Sequence, residues 1–431
     1  MAALTFPSAA LFVAIWIVSR HRRSSALISD VFVIAFMIIY FPFFLMNTSA
    51  DMKLNTPPFQ EAVVYRSVLG MITFMGGGAI IFATRRVFSR SAPSLLIDVS
   101  DVFLSRSGAI ALVMSLVLFG ALMTTSTFQA FRLHTLWWIS GELSAGQYAY
   151  LRRINSGPFL DGVIGRLRFS LMPILFLFCI APLCQRGSVI RTSMVAAGFF
   201  VALPLSLSKL PFIYDVGYLV LLAVLLRLEE PLTIKKTVVF AIVGAAGAPI
   251  MIAALYLVQY KGAVGYQSIY DEPIRLAVDR IWGESYSVVL RYFATYPDRL
   301  DYSGWSGFDW ISKMMGLGFR NPDIEVAQTI LGPDSGSNPG IFFLAGYAAF
   351  GFPGVAAFSV LGFSVLWILD EIGDLFRTRI CHQIYFAIMS LNVLFLLQIA
   401  LQTTLFSYGL AIVPPIMLIL DRIMVRYVVR L

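Results

Sequence analysis

The sequence predicts an all-α, polytopic integral membrane protein with about eleven transmembrane helices and a large, partly helical loop on the non-cytoplasmic side. Three observations predict it. Of 431 residues, 58% are hydrophobic and only 13% charged, about half the charge of an ordinary soluble domain, and the mean hydropathy is +0.81. The apolar residues gather into runs near the ~20 residues that a bilayer core requires. Lysine and arginine alternate between the loops joining those runs. A water-soluble fold has too little interior to hide so much apolar surface, so the bilayer is the solvent for most of the chain.

The runs fall at 2–19, 29–46, 65–84, 107–128, 167–184, 193–208, 211–227, 237–258, 340–369, 381–401 and 405–421. The first has no basic residue before it, and Arg20, Arg22 and Arg23 follow it. A cleaved signal peptide has the reverse order, so this is a first span. The run at 340–369 is long and interrupted by glycine, as in a tilted helix or one that starts outside the bilayer. Gly76–Gly78 lies inside an apolar run with no strand before it, which points to helix packing rather than nucleotide binding. Pro249 and the Pro414-Pro415 pair read as kinks in packed helices.

Orientation follows from the positive charges. Arg20–Arg23, Arg85–Arg106, Arg186 with Arg191, Arg227–Lys236, Arg377 with Arg379, and the tail after Arg422 all fall on one side, the cytoplasmic one. The N-terminus is then periplasmic and the C-terminus cytoplasmic. The chain divides into an N-terminal bundle of about eight spans at 1–258, a loop at 259–339, and about three C-terminal spans at 340–431. A smaller external segment occupies 129–166. The net charge of +8 is spread between apolar runs, which fits membrane topology and not nucleic acid. Cys179, Cys184 and Cys381 form no C-x-x-C pair, so neither a disulfide framework nor a thiolate metal site is predicted. No metal or cofactor is expected.

Loops as long as 259–339 are usually functional. An amphipathic helical pattern runs from Pro273 to Tyr296, with Arg280, Glu284, Ser287 and Arg291 on one polar stripe. A charged turn, Tyr296–Tyr302, and a short helix near Trp310–Met315 follow. Seven Lys/Arg stand against ten Asp/Glu in this loop, so it is no sticky basic patch. A few placed arginines amid carboxylates suit bidentate recognition of phosphate. The plainest use of Arg280 and Glu284 is an exposed i,i+4 pair. His134, the one histidine predicted on the external side, is either a general base or a packed side chain. The spans carry almost no charge at their centres, which argues against ion-coupled transport.

The late external loop, its Tyr292…Tyr296-Pro297 element and the exit through Ser337-Asn338-Pro339-Gly340 into Gly346-Tyr347 and Phe350-Gly351 resemble the O-antigen polymerase (oligosaccharide repeat-unit polymerase) family. The turn Ser206–Lys209 resembles a basic turn of the polymerases and the related ligases, with Lys209 where that family often has Arg. The resemblance implies a GT-C-like, metal-independent glycosyltransferase in the bacterial inner membrane. It would join undecaprenyl-pyrophosphate-linked oligosaccharides at the periplasmic face, with a chain-length regulator and a flippase as partners in the same membrane. On this reading Arg280, Arg291, Asp298 and His134 are the catalytic candidates. Arg168, Lys209, Arg299, Arg320, Tyr292 and Asn338 are the substrate-binding candidates. The alternatives are an O-antigen ligase and, in a different class, a lipid-linked oligosaccharide flippase.

Overall fold

Phenylalanine and glycine decide how the helices meet. In the computed structural model, residues 2–20, 27–46, 61–88, 96–98, 109–111, 113, 114, 117, 170, 171, 173–181, 217, 220–222, 224, 225, 232–259, 272–333, 335 and 339–429 are described. The main elements are α1 (Ala2–Ser19), α2 (Ile28–Met46), α3 (Glu61–Phe88), α4 (Ile234–Gln259), α5 (Pro273–Val278), α6 (Glu284–Thr295), α7 (Asp309–Met314), α8 (Pro322–Leu331), α9 (Phe343–Gly373), α10 (Arg379–Asn392), α11 (Leu401–Ser407) and α12 (Val413–Val429). Among the described residues the predicted runs at 2–19, 29–46, 65–84 and 237–258 are each one helix. Three stretches, Glu61–Phe88, Phe343–Gly373 and Arg379–Leu397, are long and apolar enough to cross a membrane. The predicted spans between 107 and 208 and the segment 129–166 lie mostly outside the described residues.

The core is a cluster of rings where α1, α2, α3 and α9 meet. Phe74 lies 5.1 Å from Phe36, 4.8 Å from Phe343 and 5.2 Å from Phe363 between ring centres. Phe12 adds contacts to Phe36, Phe82 and Phe363. Lipid tails are as apolar as these side chains, so close packing rather than exclusion from water holds such helices together. The glycine run of α3 serves that packing, as predicted. A methyl group on Gly77 would lie 2.7 Å from Ser359 Cβ, and one on Gly78 would lie 2.7 Å from the Phe363 ring.

The run at 340–369 departs from a single span. Its backbone breaks at Gly351 (φ 67°, ψ −147°), a left-handed conformation that glycine adopts without strain. The two halves fold against each other. A methyl group on Gly354 would lie 2.0 Å from the Gly346 carbonyl oxygen, and one on Gly362 would lie 2.3 Å from the Phe342 ring. In a straight helix residues 342 and 362 would stand about 30 Å apart. Phe343–Phe350 is therefore a half-helix that rises from within the bundle, turns at Gly351 and returns as the longer half. That half, at about 33 Å, is long enough to span alone.

The last predicted run is also broken. α11 ends at Ser407, Gly409 takes φ 79°, and α12 starts at Val413. Pro414 and Pro415 thus sit in the first turn of α12 instead of kinking a span. There a missing N–H costs nothing.

Buried carboxylates bind helix ends and connecting segments together at one end of the bundle. Asp370 accepts from Ser29 Oγ at 2.5 Å, Ser29 N at 3.1 Å and Arg85 Nη1 at 2.6 Å. Asp30 accepts from Trp16 Nε1 and the Leu27 amide and pairs with Arg20 at 2.9 Å. Asp421 accepts from the amides of Arg377 and Thr378 and from Thr378 Oγ1 at 2.6 Å. Removing one partner of a buried pair strands the other charge, at a cost of about 3–5 kcal/mol. Asp370→Ala should therefore lower the thermal denaturation midpoint in detergent far more than Ser29→Ala, and Asp370→Leu combined with Arg85→Met should recover most of the loss.

Candidate functional site

At the opposite end the segment from Glu272 to Phe342 does not simply sit on the bundle. Its α6 inserts among α2, α3, α8 and α9. The Phe293 ring fills the space over Gly70, and Trp282 Nε1 donates to the Ile38 carbonyl at 3.0 Å, ten residues into α2. The predicted amphipathic helix is present, with one change. Asp279–Gly283 forms a π-turn, in which the Glu284 amide bonds back to the Asp279 carbonyl. This wider turn shifts the helical register by a residue. Glu284 accepts from Arg291 Nη1 at 2.8 Å, so its observed partner lies seven residues on. Ser287 and Arg291, predicted on a polar stripe, are both buried.

α6 presents Tyr292, and Tyr296 follows one turn later. Both hydroxyls reach α8. Tyr292 donates to Asp323, and Tyr296 donates to Glu325 Oε2 at 2.7 Å. α8 starts at a proline, and its Asn321 cap accepts from the Asp323 amide at 3.1 Å. Its two acids thus stand in the first helical turn, where the exposed amides favour negative charge. Arg320 closes a fork on Glu325, Nε to Oε1 at 2.7 Å and Nη2 to Oε2 at 3.1 Å, and reaches the Asp301 carbonyl at 3.4 Å.

The network continues across α9 to α3. Tyr347 donates to the Tyr296 carbonyl at 3.0 Å. Tyr302 stacks on Tyr296 and meets Tyr347 edge-on. Arg66, in the first turns of α3, makes a two-pronged pair with Asp298, Nη1 to Oδ1 at 3.1 Å and Nη2 to Oδ2. Ser303 donates through its amide to the Ala348 carbonyl at 2.9 Å, next to the Gly351 turn.

Asp298, Arg320 and Tyr292 thus join one connected cluster, bordered by Arg299, which reaches the Thr329 carbonyl at 3.4 Å. Arg291 stands with Glu284 on the inner part of α6. The side chain of Arg280, and all of His134, Arg168, Lys209 and Asn338, lie outside the described residues. Sequence reasoning missed Arg66, Tyr347, Asp323 and Glu325. Arg66 carries a readable signal, a lone arginine at the mouth of an apolar run. The two acids show theirs only when set against the i,i+4 tyrosines.

The acids differ electrically. The hydrogen bonds from Arg66 hold the Asp298 carboxyl below the usual carboxylate range. Burial pushes Asp323 up, with the Tyr292 hydroxyl pulling the other way. Burial first, then the neighbouring carboxylates, raises both Tyr292 and Tyr296, so each remains a donor.

An apolar groove of about 540 Å3 lies between α2, α4, α10 and residues 217–224. Ala35 and Ile38 line one wall, Phe240 and Gly244 another, and Ile281 and Trp282 of the π-turn also line it.

Asp323, with its raised pKa, stabilises the fold below the ordinary carboxylate range and loses that contribution as pH rises through its folded value. Tyr292→Phe removes a donor to a buried acceptor, at about 1–3 kcal/mol. Its deficit in melting temperature should be largest at neutral pH and shrink on acidification, and Asp323→Asn should flatten the pH dependence. No family model, curated protein or solved structure matches the chain.

Proposed function

We propose that the protein is a glycosyltransferase that joins lipid-pyrophosphate-linked oligosaccharides into longer glycans at the periplasmic membrane face, as the resemblance to the repeat-unit polymerases implies. The supporting observation is the groove. Its lining is almost wholly apolar, one wall is α10, part of a stretch long enough to cross a membrane, and Ile281 and Trp282 of the π-turn that leads into Glu284 line it. A polyprenyl tail in the groove delivers its diphosphate to the inner part of α6. There Arg291 exchanges the Glu284 carboxylate for phosphate oxygens, with Arg280 one turn before Glu284 in sequence.

In the reaction an acceptor hydroxyl attacks the anomeric carbon, the bond from that carbon to the pyrophosphate oxygen breaks, and the carrier leaves as polyprenyl pyrophosphate. A fixed guanidinium in a medium of low polarity stabilises the charge that develops on the leaving oxygen. The acceptor proton passes to a carboxylate or a histidine, Asp298 and His134 being the candidates. Asp298 is ionised by its pairing with Arg66, which makes it available but weakly basic. The exposed aromatic face of Tyr302 beside the cluster suits stacking on a sugar ring.

Arg291→Ala and the groove-filling Gly244→Phe should both reduce cell-surface glycan to single repeat units. A methyl group on Gly244 would meet nothing within 4 Å, so the larger side chain projects into open space. The size distribution of glycan from complemented deletion cells, at matched protein levels, is the measurement. Wild-type chain lengths in both variants would overturn the reading, and full-length polymer retained on its carrier in the deletion strain would identify ligase chemistry.

A further inference from the structure

The stretch from Gly304 to Phe319 is folded inside out for a segment bathed in water. It comprises the 3₁₀ turn Gly304–Gly307, α7 and a left-handed turn at Gly316 (φ 67°). Small polar residues point inward, Ser303 and Ser312 both being buried. Phe308 is buried against α9, but six other large apolar residues point outward. Trp305 is 49% exposed, Trp310 51%, Met314 77% and Met315 56%, and Leu317 and Phe319 are exposed beside them. Isolated exposed apolar residues are common, but six within fifteen consecutive residues mark an interaction surface.

What covers this surface follows from where it is attached. Trp305 packs edge-on against Phe350 at 4.8 Å, and Phe308 lies face-on over Phe358 at 5.3 Å with an interplanar angle of 13°. Phe350 precedes the Gly351 turn, and Phe358 lies about two turns into the returning half of α9. Next to Phe358 on that half, Ala357 and Leu361 are exposed, and the outward stripe continues to Ile368. The platform is therefore laid over the upper end of the outward flank of a helix long enough to cross a bilayer. Its rim carries the exposed pair Lys313–Asp309, Nζ to Oδ1 at 2.8 Å. Tryptophan at such a height, a flexible methionine pair and an ammonium at the edge are the composition of an interfacial segment.

We propose that residues 304–319 lie in the headgroup region of the bilayer that α9 crosses, with Trp305, Trp310, Met314, Met315, Leu317 and Phe319 turned into the lipid. The platform is joined to the acid-bearing helix through the Arg320 amide, which donates to the Ser306 carbonyl at 2.9 Å. Its seating on lipid thereby sets the height of Arg320, Glu325 and Asp323 above the membrane. The inference rests on the spanning helix alone and is independent of the reaction proposed above.

The full chain reconstituted in phosphatidylcholine–phosphatidylglycerol nanodiscs tests it. A nitroxide is placed at Met314→Cys, or at Met315→Cys should the first variant fold poorly, in a background with Cys179, Cys184 and Cys381 replaced by alanine. Glu272→Cys, at an exposed and charged position, gives the water reference. Lipid seating predicts collision rates with oxygen several-fold higher relative to a water-soluble nickel complex than at the reference. A ratio equal to the reference would overturn the proposal, and so would low access to both reagents, which would mean that protein covers the surface.

Discussion

α3 carries Arg66 near one end, Arg85 and Arg86 near the other, and nothing charged between them. Arg66 and Arg85 stand nineteen residues apart (85 − 66) in this helix, about 28 Å at 1.5 Å per residue, close to the thickness of a bilayer's hydrocarbon core. Each holds a carboxylate from a distant part of the chain, Asp298 at one end and Asp370 at the other. Between them the glycine run lets the returning half of α9 lie close alongside. The two carboxylates belong to segments on either side of the Gly351 turn, so this single helix sets where both must lie. The aromatic core, the inserted α6 and the tyrosine–acid contacts all assemble against it.

That arrangement explains why a segment which reads as an external loop packs like an interior. α6 brings Phe293 over Gly70, and Tyr347 of the half-helix meets the chain at Tyr296. Polar backbone away from regular helix is tolerated at this depth only when protein supplies its partners. Here those partners are the hydroxyls of Tyr347 and Ser303 and the carbonyl of Ala348. The cluster of Arg66, Asp298, Tyr296, Arg320 and Glu325 is then a fixed constellation on helices packed against one another.

Helix positions were legible because apolar runs of spanning length have few other readings, and the helical period of Pro273–Tyr296 was plain. The break at Gly351 was half legible. Glycine marked the run as interrupted, but only the approach of Phe342 to Gly362 shows that it folds back. At the site, Tyr292, Asp298 and Arg320 were visible as loop residues with chemistry. Their partners were not, because Tyr292 and Asp323 are separated by 31 residues and Arg66 and Asp298 by 232. No local pattern encodes such pairings. The π-turn was invisible for the opposite reason, since a one-residue shift of register leaves composition and spacing untouched.

The double pairing of α3 has a mechanical corollary. A slide of one helical turn, 5.4 Å, would tear Arg66 from Asp298 and leave Arg85 stranded from Asp370 in the same stroke, so the two pairs together oppose piston motion of this helix. On α4, by contrast, methyl groups on Gly244 and Gly247 would meet no neighbour within 4 Å. The packing at these two α4 positions is thus looser than at Gly77 and Gly78 of α3, where an added methyl group would meet the returning half of α9.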